Sequence, residues 1–279
     1  MKETLELRVN EDHAERLFRP DEGSRVGASV RVVRLDSSDD RLAKVGELQR
    51  TLRELTGQPF FYGWDIRRSY SRAELDRAEL FTVRWDRRFE PVGEECGTKK
   101  DESSACGVCG SGAIQEGPLR LRLSKLPRNC DFAASIAGER VVSEPVRRAI
   151  ERQGVKGIRL GPVESVGSRA EKGDWWQLSV DAVVDVVSPT VVGIGPFDRD
   201  AIGEYRPPCG HVLGLNLLSE VTVSAASVNA FDVFESQQYV GVRRGLLRPE
   251  RLLFVRPSVR SMILRDGLRG WTFEVAHLR

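Results

Sequence analysis

The sequence predicts an α+β fold: two diverged repeats, each of antiparallel strands plus one helix, preceded by an N-terminal α/β extension and interrupted by a cysteine-bearing insertion. Three observations predict it. One stretch of the chain is written twice, apolar positions alternate in some segments and recur at helical spacing in others, and a glycine-rich run holds three of the five cysteines.

The doubled stretch comes first. Residues 141–162, "VVSEPVRRAIERQGVKGIRLGP", align without a gap with residues 254–275, "FVRPSVRSMILRDGLRGWTFEV", 113 positions later. Seven of the 22 pairs are identical: Val142 with Val255, Val146 with Val259, Arg147 with Arg260, Ile150 with Ile263, Arg152 with Arg265, Gly154 with Gly267 and Gly157 with Gly270. A repeat of this length indicates duplicated domains and not a solenoid. Each copy runs from a β-rich lead into a helix, a glycine stop and a strand. Val146, Ala149 and Ile150 share one helix face, as do Val259, Met262 and Ile263. Ser143 with Pro145 suits a helix start, while Gly154 and Gly267 suit the left-handed residue that closes a helix. "GIRLGPVE" and "GWTFEVAHL" then alternate as half-buried strands.

Extending the copies backwards pairs "ELFTVRW" (79–85) with "WWQLSVDAVVDV" (175–186) as opening strands, and "LRLRLSK" (119–125) with "SEVTVSA" (219–225). The predicted divisions are therefore 1–75 for the extension, 76–167 for the first repeat and 168–279 for the second, with the polar linker "GSRAEKGD" at the boundary near residue 168. The extension has no counterpart in the second half. It reads as strands at 5–9 and 26–35 and a helix from Asp39 to Leu55, capped by Ser38 or Asp39 and stopped by Gly57. Leu42, Val45, Leu48, Leu52 and Leu55 make it a packing helix.

Composition bounds the function. With 279 residues, 40% of them apolar and 30% charged, the chain has globular composition and enough length for a real core. Forty-three basic residues against 41 acidic ones are interspersed, which argues against a nucleic-acid partner. No run of about 18 apolar residues and no signal-peptide pattern occurs, so a soluble, cytoplasmic protein with no membrane partner is expected. Five cysteines, an odd number, in a reducing compartment point to a metal or redox site before disulfides.

"CGVCG" (106–110) has the form of a zinc knuckle, a tight turn that aims backbone N–H groups at two thiolates and uses glycine where φ is positive. Two degenerate relatives flank it. "GEECG" (93–97) has Gly93 in place of the first cysteine, and "RPPCG" (206–210) has Arg206 there. Cys209 lies 100 positions after Cys109. The expected centre is a structural zinc ion on Cys96, Cys106, Cys109 and Cys209, with His211 as the alternative fourth ligand and Cys130 as a rival. Such a zinc-knuckle insertion would bridge the two copies. The competing readings are a decayed site of lone thiols and a redox C-x-x-C, although redox chemistry expects the motif at a helix start and "ESSACGVCGSGAIQEG" is turn-rich.

Catalytic constellations are thin. Beside His211 there are only His13 and His277, the latter read as a packing or surface residue. No nucleophile elbow, P-loop, metalloprotease or dinucleotide motif is present, "DSSDD" (36–40) reads as a helix entry, and a thiolate-rich zinc site is closed and structural. The expectation is a non-enzymatic protein. "FFYGWDIRRSY" (60–70) mixes aromatic and basic residues that would suit base stacking, but reads first as a core-edge turn. A zinc-ribbon nucleic-acid-binding protein and a metal-dependent enzyme are the alternatives.

The last third, from "DVFESQQYVGVRRG" onward, resembles the end of a bacterial family named for carrying two CxxCG motifs, many of whose members are described as immunity proteins. The residues that carry the resemblance are Asp232 and Phe234, the helix at 258–266, Gly267 and Gly270, and Phe273. Asp131, Phe132, Gly154 and Gly157 echo them in the first copy. The resemblance runs from about residue 79 to the end. This sequence departs from the pattern at Arg206, where a cysteine is lost, and at Cys96, where one is gained. The resemblance implies a cytoplasmic protein that binds and neutralises a toxin delivered by neighbouring cells.

Overall fold

A computed structural model describes residues 1–167 and 175–279. It is α+β and dominated by strands. The expected repeat boundary near residue 168, and the linker around it from Ser168 on, lie outside the described residues. The chain divides into two compact units, Met1–Arg77 and Ala78–Arg279. Among the described residues no helix is long and apolar enough to cross a membrane.

The first unit runs β1 (Lys2–Asn10), α1 (Glu11–Ala14), β2 (Ser24–Val26), β3 (Val30–Asp36), α2 (Leu42–Thr56), β4 (Phe61–Ser69) and α3 (Arg72–Arg77). Its sheet has the order β2-β3-β1-β4 and is antiparallel throughout. Leu5, Leu7 and Val9 alternate along β1 and are buried, with Leu35 and Ile66 opposite Leu5 and Val33 opposite Leu7. The strand expected at 26–35 is a hairpin, turned at Gly27 with φ +67°. Helix α2 ends at Gly57, φ +71°, as its sequence predicts. Val45 and Leu52 are buried on it, and Gln49 beside them accepts from Phe61 N–H at 2.9 Å, while Leu55 is 78% exposed. The aromatic and basic stretch is strand β4 and not a turn. Phe60 and Phe61 are buried in the core, while Tyr62 on the same stretch is exposed.

The second unit begins with β5 (Leu80–Trp85), β6 (Arg88–Phe89), β7 (Lys99–Asp101), β8 (Ile114–Glu116), β9 (Leu119–Leu121), β10 (Phe132–Ser135), β11 (Arg140–Ser143), α4 (Glu144–Gln153) and β12 (Ile158–Ser165). It continues with β13 (Trp175–Val180), β14 (Val183–Val184), β15 (Val186–Val187), β16 (Val192–Gly195), β17 (Asp198–Arg199), β18 (Val212–Gly214) and β19 (Asn216–Leu217). β20 (Val221–Val223), β21 (Val233–Val240), β22 (Glu250–Val255), α5 (Pro257–Arg265) and β23 (Trp271–Leu278) complete it. The helices bury the faces that their sequences predict, Val146, Ala149 and Ile150 on α4 and Val259, Met262 and Ile263 on α5.

Two large sheets carry this unit. One has the order β6-β10-β11-β13-β12-β9, the other β14-β21-β22-β5-β23-β20-β15 with β18 beside β21. Five strands of each follow a like order, β10-β11-β13-β12-β9 and β21-β22-β5-β23-β20, and each opening strand stands in the sheet of the other stretch. β5 lies between β22 and β23, and β13 lies between β11 and β12. The expectation of antiparallel strands is corrected at five pairings among the described residues: β6 runs parallel to β10, β14 and β18 to β21, β9 to β12 and β20 to β23. The last two pairs are each separated in sequence by two strands and a helix, the kind of long crossover that parallel pairing requires.

The glycine pairs explain how the two stretches meet. Gly154 and Gly267, both at φ +65°, have open space where a Cβ would be, and serve only to turn the chain out of the helix. Gly157 and Gly270, at φ +93° and +117°, let backbone approach backbone, since a Cβ would collide with the Val233 carbonyl oxygen at the first and the Phe132 carbonyl oxygen at the second. The amides of Asp131 and Phe132 donate to Arg269 O at 2.7 and 3.0 Å, and those of Asp232 and Val233 to Lys156 O at 3.0 and 3.2 Å. Asp131 Oδ2 accepts from Arg269 N–H, and Asp232 Oδ2 from Lys156 N–H, each at 2.9 Å. Trp271 then stacks on Phe132 with centroids 3.9 Å apart.

This division of labour sets an expected outcome for four substitutions. Gly154→Ala and Gly267→Ala should each cost about 1 kcal/mol, the left-handed penalty alone. Gly157→Ala and Gly270→Ala should each cost about 3 kcal/mol or more, because strain and collision add. Urea unfolding midpoints of the four variants read this directly, and four equal losses would refute the close approach.

Candidate metal centre

The knuckle segment is inserted between β7 and β8. Gly110 N–H donates to Cys106 O at 2.7 Å and Cys106 N–H to Ser111 O at 2.8 Å, so the turn closes on itself around the two thiols. Gly110 takes φ +70°, the conformation for which the CxxCG pattern keeps a glycine. The segment "RPPCG" forms a similar turn: Gly210 takes φ +75° and its N–H donates to Pro207 O. His211 follows, its carbonyl oxygen accepting from Tyr239 N–H at 2.9 Å where β18 joins β21.

These two turns meet. The ligand atoms of Cys106, Cys109, Cys209 and His211 all lie within 4.8 Å of one another. Cys109 Sγ is 3.9 Å from His211 Nδ1 and 3.0 Å from the hydroxyl of Ser111. Two ligands of a tetrahedral zinc ion, with bonds of about 2.3 Å to sulfur and 2.0–2.1 Å to nitrogen, stand about 3.6 Å apart. The donor set fits a metal ion that prefers thiolate and imidazole, and four protein ligands leave no open position. Cys109 is buried, Cys106 and Cys209 are half-buried, and His211 is exposed.

The electrostatics favour a thiolate at Cys106. Its pKa is lowered to about 6, first by the backbone N–H of Cys109, then by that of Val108, with His211 and Cys109 side chains adding against the cost of burial. For Cys209 the largest influence, the His211 backbone N–H, lowers the thiol, but burial and the neighbouring Cys109 and Cys106 together raise it. Adjacent thiols resist ionising together, which is the repulsion a bound cation would relieve.

The sequence-predicted ligands separate cleanly. Cys106, Cys109 and Cys209 come together, and the fourth member is His211 in place of Cys96. Cys96 is buried in a single 3-10 turn, Glu94–Cys96, closed by Gly97 at φ +91°. That turn is held against β9: Thr98 Oγ1 accepts from Arg120 N–H at 2.9 Å, and Gly93 fits against Leu119 with no room for a Cβ. "GEECG" therefore uses its glycines for packing, which is why it imitates a knuckle without joining one. Cys130 also stands apart, donating from Sγ to Pro127 O at 3.0 Å beside the Leu119 and Leu121 cluster. His277 is at the surface, 2.8 Å from Glu220 Oε2.

One supporting group had no signal in the sequence. Arg243 packs over Gly110, leaving no space for a Cβ, and bonds Glu102 at 2.7 Å, while Arg248 bonds Glu102 at 2.6 Å and Glu94 at 3.3 Å. These arginines lie more than 130 positions from the turn they brace.

In chelator-treated protein, alkylation should follow the thiolates. Cys106, lowered to about 6, should react through a titration centred near pH 6, being thiolate above it, while Cys130, raised by burial, should react only under alkaline conditions. Mass-spectrometric mapping after brief iodoacetamide treatment across pH 5–9 checks this order, and a Cys130 that labels first would overturn it. Comparison with known protein families finds no matching family model, and comparison with curated proteins finds no match either.

Proposed function

We propose that Cys106, Cys109, Cys209 and His211 hold a structural zinc ion that pins two duplicated repeats together, in a non-enzymatic, cytoplasmic protein that works by binding another protein. The observation that carries this reading is the complete donor set, three thiols and one imidazole drawn from two turns about 100 positions apart. With four protein ligands the ion has no vacant position for a substrate or an activated water, which suits a clasp and not a catalyst. The like strand orders of the two sheets and their reciprocal backbone contacts support descent from a duplication. His211 then stands in for the cysteine lost at Arg206.

The resemblance of the last third to the double-CxxCG family supplies the finer reading, an immunity-type factor that neutralises a toxin from neighbouring cells. Asp131 and Asp232, which carry part of that resemblance, serve here to bind the opposite glycine loop. They fix the fold and leave the partner surface elsewhere.

Metal analysis tests the centre. Wild-type protein should contain about one zinc per chain, lost on Cys106→Ser, Cys209→Ser or His211→Ala and kept in Cys96→Ser and Cys130→Ser, with a lower melting temperature after chelation. Metal-free wild type would remove the centre. The role is tested separately: deleting the gene should make cells sensitive to the toxin of their own strain, and pull-down should recover that toxin as a protein. Growth unaffected by deletion, with no partner recovered, would remove the immunity reading.

A further inference from the structure

A cavity of about 340 Å³ opens beside the knuckle, lined by the segment 110–113, the turn 137–140, residues 177–180 of β13 and residues 248–251. That volume is at the lower end of what small-molecule sites occupy. Its lining mixes charged with apolar residues, and the charges are well buried: 7% of the Arg140 side chain, 10% of Arg248 and 4% of Glu139 are exposed.

The charged groups are only partly satisfied. Arg248 spends Nη2 on Glu102 and Glu94, and its Nε and Nη1 have no hydrogen-bond partner among the described residues. Arg140 spends its two terminal nitrogens on Glu235 and Arg251 O, and its Nε has none among them. A guanidinium carries five N–H donors and accepts nothing, so what remains at these two residues can be met only by an acceptor. Buried donors are rarely left unpaired in a folded protein, and two such arginines on one cavity need an explanation. Lys100 Nζ adds a further cation, held loosely at 3.5 Å from Glu94 and 3.6 Å from Glu139.

We propose that this cavity binds a small oxyanion, a carboxylate or a phosphate, through Arg248 and Arg140. Such a group offers several acceptor lone pairs on a compact body and gains charge-assisted hydrogen bonds from a guanidinium. Glu102, Glu94 and Glu235 hold the far ends of the two arginines and so fix the remaining N–H groups for the ligand. The wall 110–113 follows directly on Cys109, but the site itself needs only the arginines.

Calorimetric titration of the full chain with malonate and, separately, with inorganic phosphate at low chloride tests the proposal and distinguishes the two classes. The tighter-bound anion should saturate one site with a dissociation constant of about 1 mM or below, and the Arg248 Nε–H resonance should shift with the same titration curve. Arg248→Lys, which keeps the charge but loses the fork, should weaken binding at least tenfold. Ala113→Trp, which sets a bulky ring on the cavity wall and removes none of the charged groups, should abolish it in a protein whose circular dichroism is unchanged. No saturable binding of either anion, or wild-type affinity in both variants, would overturn the proposal.

Discussion

The second unit depends on the exchange of its opening strands. β5 satisfies both edges between β22 and β23, and β13 between β11 and β12. An unpaired buried strand edge costs a hydrogen bond at every other residue on each side. Neither stretch completes its sheet without the other, which is why residues 78–279 form one compact unit although the helical pattern in them is written twice. The two glycine loops are where this interdependence becomes tightest, with the carbonyls of Lys156 and Arg269 each receiving two amides from the opposite stretch.

The position of the cysteines follows from that arrangement. The knuckle segment lies between β5 and β9, and the segment that ends at His211 between β13 and β20. Interlocked sheets bring these segments towards each other, so residues 100 positions apart share a site, and the half-kept knuckle pattern of "RPPCG" is the local signal of it. Short strands such as β7 and β8 cannot hold such loops rigid alone. The Glu94, Glu102, Arg243 and Arg248 network braces one side, and the three thiols and the imidazole gather on the other.

What was legible in the sequence is whatever is encoded locally. Helices α4 and α5, their buried faces and their glycine stops follow from spacing and capping, and the CxxCG turn follows from glycine's freedom at positive φ. What was not legible is set by distant partners. Alternating apolar residues in 79–85 and 175–180 show that each is a strand, but carry nothing about which sheet it enters, because register and neighbour are decided by packing. Cys96 failed for a related reason: a glycine beside a cysteine can mean a metal turn or a close approach, and Leu119, which decides between them, is 23 positions away. The parallel edges were invisible too, since period-two alternation does not distinguish strand direction.

The differences between the two turns bear on what a bound ion would feel. On the proposed duplication, Arg206 replaces one thiolate and His211 restores the count with a neutral ligand. A divalent ion on three thiolates and one imidazole carries a single net negative charge, where four thiolates would leave two. Less charge needs less compensation when a centre is half-buried, and the Arg243 side chain packed over Gly110 is a cation placed to give it. The exchange of cysteine for histidine also moves one ligand to an exposed position, since His211 is open to solvent while Cys109 is buried. In the proposed centre, loss of metal should therefore begin at His211, the ligand that solvent and protons reach first, with the buried Cys109 thiol the last to let go.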